Sequence, residues 1–286
     1  MQVRLPFALL LCFIVPSFQR CTSTIATTQC DSASFSRGHP VSLGSYKNLL
    51  QFKGTNIEEI PAGTFRLLPE VTTLYLSFNA IKKLEPGSFE GLRKLNQLIL
   101  NHNSLESISN GVFRGCDNLK VLDLGANKIK VIERNAFTEL INLEEIVLSF
   151  NQLESVPGSL GALVAVKKID LSNNKIKFVA SNAFAKLNSL EVLTLESNKI
   201  RYVQDDAFKG LNKVEEINLK DNYLSNLNAA NLINNLKSLK TIKLSVNDFV
   251  CKTLTAIIEE FEARNIKVTH GVSRSNVTVN GIACKL

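Results

Sequence analysis

Histidine is scarce in this 286-residue chain: there are only three, His39, His102 and His270, and they stand far apart in sequence. No HExxH helix, phosphate-cradling glycine loop or G-x-S-x-G elbow accompanies them. The common metal-dependent, nucleotide-using and serine-hydrolase plans therefore have no residues to work with, and neither a metal nor a cofactor is implied. Long apolar runs are missing too. Past the N-terminus nothing approaches the roughly 18 consecutive apolar residues that a membrane-spanning helix needs. The C-terminal VNGIACKL lacks the hydrophobic tail of a glycolipid anchor. Nor is there a concentrated basic stripe interleaved with aromatics. The net charge of +7 is modest and scattered among 26 acidic residues, which argues against a nucleic-acid partner.

At the N-terminus, Arg4 precedes the apolar run LPFALLLCFIVP, which is too short to cross a bilayer and is followed by small and polar residues. This reads as a secretory signal peptide over residues 1–20, with cleavage between 17 and 23. Losing Arg4 and Arg20 takes the net charge from +7 to +5. The rest, in a chain 45% hydrophobic and 21% charged, is long enough to bury a core. The mature chain is expected to be secreted and extracellular, with no membrane span.

The dominant feature is repetition. The frame LxxLxLxxNxI/L begins at Val71, Leu95, Leu119, Leu143, Val166, Leu190, Val214 and Leu239, at spacings of 24, 24, 24, 23, 24, 24 and 25 residues. A degenerate earlier copy runs through Leu50, Phe52, Ile57, Ile60 and Phe65, giving about nine repeats. The alternating LxL core of each copy suits a short strand with its leucines on one side. One copy cannot bury its own leucines, so the copies must stack. Strands stack about 4.8 Å apart, the return segments are bulkier, and the stack must curve with its strands inside.

This pattern resembles the extracellular type of leucine-rich repeat over Lys47–Phe249. The fold expected is an α/β repeat: a leucine-rich repeat solenoid, or horseshoe, with a concave parallel β-sheet. An N-terminal cap over residues 21–46 and a C-terminal cap over 250–286 would close the repeats of 47–249. The cap begins CKTLTAIIEEFEARN, in which Leu254, Ile257, Ile258 and Phe261 share one face of an amphipathic helix.

Three columns in the frame read as structural. Asn79, Asn103, Asn127, Asn151, Asn174, Asn198, Asn222 and Asn247 stand where each strand ends, where a side-chain amide satisfies backbone groups buried in the turn. Phe65, Phe89, Phe113, Phe137, Phe184 and Phe208 form a core spine, with Leu160 taking its place in the 23-residue repeat. Cys116 occupies a column otherwise held by leucine (Leu68, Leu92, Leu140, Leu163, Leu187, Leu211 and Leu236), so a buried thiol that packs is expected. The return segments are too short for long helices, and loops or single helical turns are expected there.

Secretion favours disulfides. Cys251 and Cys284 flank the C-terminal cap and are expected to pair, a reduced version of the four-cysteine caps common in the family. Cys21–Cys30 is the natural N-terminal bond if cleavage leaves Cys21 in place. If cleavage follows Ser23, Cys30 bonds another chain or stays free. Asn276-Val277-Thr278 is a sequon, which makes Asn276 a candidate glycosylation site.

Binding would use the residues between the strand leucines, which change from repeat to repeat on a fixed scaffold. The candidates are Tyr75, Ile99, Asp123, Val147 and Asp170 in the central column, and Phe78, His102 and Phe150 just beyond the strands. Tyr75, Phe78, Ile99 and His102 should cluster as apolar contact material. Asp123, Glu144, Glu145, Asp170, Glu191, Glu215 and Glu216, interrupted by Lys120, Lys167 and Lys168, give an expected acidic stretch beyond them. The chain looks like a short secreted insect leucine-rich immune protein, and that resemblance implies a role in haemolymph defence. The expected function is recognition of an extracellular protein or surface glycan. The alternative is an extracellular matrix or cell-adhesion protein, and an enzyme is not expected.

Overall fold

The computed structural model describes residues 21–23, 27–30, 35–43, 48–52, 54–269 and 278–285, and the expected signal peptide over 1–20 and the candidate glycosylation site Asn276 lie outside these. Within them, twelve strands form one continuous sheet. An N-terminal strand β1 (Cys21–Ser23) lies antiparallel to β2 (Thr27–Cys30). From β2 onward every neighbour is parallel and in chain order. The nine repeats contribute β3 (Leu49–Phe52), β4 (Thr73–Tyr75), β5 (Gln97–Ile99), β6 (Val121–Asp123), β7 (Glu145–Val147), β8 (Lys168–Asp170), β9 (Val192–Thr194), β10 (Glu216–Asn218) and β11 (Thr241–Lys243). The C-terminal cap adds β12 (Lys267–Thr269). Leu74, Leu98, Leu122, Ile146 and their counterparts fall in one buried row, because the register never slips.

The asparagine column staples each repeat to the one before. The Asn127 Nδ2 donates to Leu124 O in its own repeat and to Leu100 O in the preceding one, both at 3.1 Å, while its Oδ1 accepts the Leu105 N–H at 3.1 Å. The same pattern recurs from Asn79 to Asn247. Behind the sheet the phenylalanine spine is fully enclosed, with ring centroids 6.0 Å apart from Phe65 to Phe89 to Phe113 to Phe137. Cys116 is a free, buried thiol whose pKa is pushed up to about 12, chiefly by burial, so it packs without reacting.

The return segments are turns, tied in places by two-residue parallel bridges such as Ser107–Ile108 with Val131–Ile132. One departs from the expected single turn. The 25-residue eighth repeat holds a two-turn helix, α1 (Ala229–Asn235), whose N-terminal cap Asn228 accepts the Asn231 N–H at 3.1 Å. The extra residue gives room for it. At the C-terminal end, α2 (Cys251–Glu262) buries Leu254, Ile257, Ile258 and Phe261 and packs against α1 and β12. The Cys251–Cys284 disulfide pins its start, with the two Cα atoms 5.0 Å apart. At the other end, Phe35 packs edge-on against Phe52 and Phe65, with centroids at 5.3 and 5.5 Å. Arg37 pairs with Glu85, which also accepts from Lys83 at 3.3 Å and from the Ala62 N–H at 3.2 Å. Cys30 is disulfide-bonded, and it stands opposite Cys21 in the β1–β2 register.

Candidate concave recognition site

The parallel register carries the central candidates into one file across the concave face. Tyr75 stands beside Ile99, Ile99 beside Asp123, Asp123 beside Val147 and Val147 beside Asp170. All five are half-buried.

Phe78, His102 and Phe150 share a different property. The residue just before each ladder asparagine has a positive φ: Phe78 at 55°, His102 at 54°, Ala126 at 50°, Phe150 at 56°, Asn173 at 54°, Ser197 at 55°, Asp221 at 56° and Val246 at 57°. The turn imposes this conformation while the backbone ladder continues, with the Phe78, His102 and Phe150 N–H groups donating to the next repeat at 3.0–3.2 Å. Asparagine, aspartate and histidine enter this region readily; a phenylalanine or valine there costs about 1 kcal/mol or more. Yet Phe78 and Phe150 are 55% and 60% exposed, and neither ring is buried in the core. The Phe78 ring instead stacks on His102, with centroids 4.3 Å apart and an interplanar angle of 8°. The register puts this stack on the same two repeats as Tyr75 and Ile99, three residues further along each. Phe150 stands apart, with Ala126 between; at about 4.8 Å per strand it lies about 10 Å beyond His102. Val246 and Tyr223, which the sequence reading passed over, are also exposed at this edge. For Val246 the signal was its place before Asn247, whose meaning depends on the backbone conformation.

The two aspartates serve the turns. Asp123 Oδ1 accepts the Gly125 N–H at 2.8 Å, and Asp170 Oδ1 accepts the Ser172 N–H at 2.9 Å. Asp123 Oδ2 also accepts from Asn101 Nδ2 at 2.8 Å, while the buried Asn101 Oδ1 has no partner. Burial raises the Asp123 pKa against these hydrogen bonds. With the folded pKa above the unfolded one, ionisation costs stability as the pH rises through it. Asp123→Asn would keep the Gly125 bond and, with the Asn101 amide turned over, replace the Asn101 bond with one donated from its own amide to Asn101 Oδ1, while removing the half-buried charge. A higher melting temperature than wild type at neutral pH is expected, with the gap narrowing in acid. Thermal melts at the two pH values check this, and a lower neutral melting temperature would contradict it.

Part of the acidic stretch is neutralised across the strands. Glu144 sits between Lys167 at 2.7 Å and Lys120 at 3.4 Å, and hydrogen bonds from these two lysines hold its pKa below the usual range. Glu215 pairs with Lys240 at 2.8 Å and Glu216 with Lys243 at 2.6 Å. Burial works against the charge on Glu196, but Lys220 and Asn218, both at 2.8 Å, outweigh it and lower its pKa. These lysines lie one repeat away in sequence and directly alongside in space. The concave face thus has an apolar N-terminal third and a mixed-charge remainder.

Comparison with known proteins agrees with this architecture. The sequence matches a family model described as leucine rich repeat over residues 49–105, 93–153, 141–200 and 190–249. A comparison with curated proteins finds no match. Among solved structures, the chain is similar to Toll in the Toll–Spatzle complex, described as a molecular hub in Drosophila development and innate immunity (26% identity, TM-score 0.68, 78% of this chain and 29% of that one). It is similar to TLR13 in a complex with ssRNA13 (24% identity, TM-score 0.66, 70% and 28%). It is also similar to human 5T4, Wnt-activated inhibitory factor 1 or trophoblast glycoprotein (24% identity, TM-score 0.63, 77% and 83%). The chain thus spans under a third of the length of the two receptors. Among the described residues no helix is long and apolar enough to cross a membrane.

Proposed function

Because the chain belongs to the leucine-rich repeat family, we propose that it is a secreted recognition protein that binds an extracellular protein or surface ligand through its concave face in innate immune defence. One observation carries the choice of site: the exposed Phe78–His102 stack, in left-handed backbone on the same two repeats as Tyr75 and Ile99. Glycine or asparagine would satisfy this turn at less cost. A large aromatic ring held in water on strained backbone contributes little to the fold, and an apolar anchor for a partner is the use that accounts for it. The paired lysines beyond it favour a protein or glycan over a nucleic acid, whose phosphates need cations not already matched by carboxylates. The leader-like N-terminus and the Cys251–Cys284 bond support secretion. Toll, which shares the fold, is described in a complex with Spatzle and in innate immunity, and this supports the class of function.

The test is a binding screen of the secreted chain against extracellular and cell-surface proteins, followed by Tyr75→Ala with Phe78→Ala. Affinity should fall about 30-fold or more, as for loss of an anchor worth at least 2 kcal/mol. The fold should persist, since Phe78 is exposed and the core leucines are untouched; alanine keeps the left-handed strain, so no gain in melting temperature is expected. Unchanged affinity would place the site elsewhere. Expression induced by infection would support defence, whereas developmental expression with retention at cell surfaces would favour adhesion.

A further inference from the structure

The return side of the fifth repeat carries a second feature, independent of the concave site. In three other repeats a backbone N–H ties this side to the preceding repeat: Glu85 to Ile60 O at 3.1 Å, Glu133 to Ile108 O at 2.9 Å and Gln204 to Val179 O at 3.0 Å. The fifth repeat has Pro157 at this point, and proline has no N–H to give. The repeat is also a residue short, and coils through Gly158–Ala162 as a tight 3-10 turn. The bridges on either side, Ser107–Ile108 with Val131–Ile132 and Phe178–Val179 with Tyr202–Val203, skip it. An open cleft results, running across three repeats between Arg134 on one wall and Lys186 on the other, over a floor of glycine, serine and alanine.

One hydroxyl in that floor is out of place. Thr64, Ser88 and Ser159 occupy one column, just before the spine residue. Thr64 Oγ1 donates to Pro61 O at 2.7 Å, and Ser88 Oγ donates to Glu85 O at 2.6 Å. Ser159 lines the cleft and is 2% exposed, and its Oγ has no partner. Such groups are rare in native proteins because they forfeit a hydrogen bond made in water. No carboxylate lines the cleft, and neither Arg134 nor Lys186 has an ion pair among the described residues.

We propose that this cleft binds an extended segment of a partner protein that carries an acidic side chain. The carboxylate sits between Arg134 and Lys186, the glycine and alanine floor lets the segment's main chain approach closely, and a main-chain carbonyl accepts from Ser159 Oγ as Pro61 and Glu85 do for Thr64 and Ser88. An open trough with main-chain-like partners suits a chain segment better than a small metabolite, which favours an enclosed pocket.

The probe is a fluorescein-labelled peptide of alternating alanine and glutamate, titrated by anisotropy against the full chain. Its alanine–lysine counterpart and unlabelled free glutamate are the controls. The glutamate peptide should bind saturably and at least about tenfold more tightly than the lysine peptide, and free glutamate should fail to compete. Gly158→Glu should weaken binding about tenfold or more. A Cβ at Gly158 meets nothing within 4 Å, so the melting temperature should be unchanged. Ser159→Ala should raise the melting temperature of the free protein and weaken the peptide, whereas a serine that merely supports the fold would lower the first and leave the second. Equal binding of both peptides, unchanged affinity in Gly158→Glu, or a less stable Ser159→Ala would each overturn the proposal. Full competition by free glutamate would overturn the extended segment.

Discussion

Asn151→Ala should destabilise the protein by about 3 kcal/mol, and the reason lies in how the asparagine ladder shares its acceptors. Asn151 Oδ1 accepts the Ile129 N–H at 2.9 Å, and Nδ2 donates at 3.0 Å to both Leu124 O and Leu148 O. Alanine leaves the Ile129 N–H buried without a partner, at about 1–3 kcal/mol, and removes donors worth about 1 kcal/mol net. The carbonyls are not abandoned, because Asn127 also donates to Leu124 O at 3.1 Å and Asn174 to Leu148 O at 2.9 Å. Each carbonyl is thus held by two successive asparagines. Removing both Asn127 and Asn151 strips Leu124 O of both side-chain donors, so the double variant should be destabilised by more than the sum of the singles. Denaturant titration of the four proteins measures this, and strict additivity would show that the shared carbonyls do not couple the repeats. Asn151→Asp should be worse than alanine at neutral pH: the carboxylate still accepts from Ile129 but turns its charge toward two carbonyls in a buried site. Its folded pKa would lie above the unfolded one, so this variant should recover stability as the pH falls and a proton restores one donor.

The ladder, the spine and the amphipathic cap helix were legible in the sequence because each is a side-chain pattern fixed by burial. A column of identical residues at 24-residue spacing has one physical explanation in a stack, and the parallel register follows from it. The left-handed edge was not legible. Its occupants, Phe78, His102, Ala126, Phe150, Asn173, Ser197, Asp221 and Val246, share no chemistry, and a backbone conformation imposed by the turn leaves no residue signature unless glycine fills it. The pairing of charge on the concave face was only partly legible, for a related reason. Lys120 and Lys167 were visible as interruptions, but Glu215 and Glu216 look unopposed along the chain because Lys240 and Lys243 are about a repeat away in sequence, and only the stacking puts these pairs within 2.8 Å. The return-side cleft was half visible: Leu160 marked the broken spine and the 23-residue spacing marked a shorter repeat. That Pro157 would interrupt the backbone ladder required knowing which N–H groups the neighbouring repeats use there.

Phe113→Ala should cost about 3–5 kcal/mol, the range for emptying a buried aromatic site. Phe113 is fully enclosed, with the rings of Phe89 and Phe137 each 6.0 Å away, so truncation opens a void bounded by two large side chains and loses both aromatic contacts. Neighbouring repeats cannot collapse into the gap, because the sheet on one side and the return turns on the other fix their spacing. Phe113→Leu should cost only about 1–2 kcal/mol, since the fifth repeat shows that a leucine, Leu160, fills the same column while remaining fully buried. The nearby Cys116 gives an internal control. It fills a leucine column with a smaller side chain and is still 1% exposed, so the stack tolerates a modest loss of volume where a side chain remains to cover the core. Thermal and denaturant unfolding of the alanine and leucine variants distinguishes the two costs. Equal destabilisation by both would mean that ring stacking holds the spine together; a leucine variant near wild type would mean that filled volume does, and that the break at Leu160 costs the solenoid little while making room on its return side.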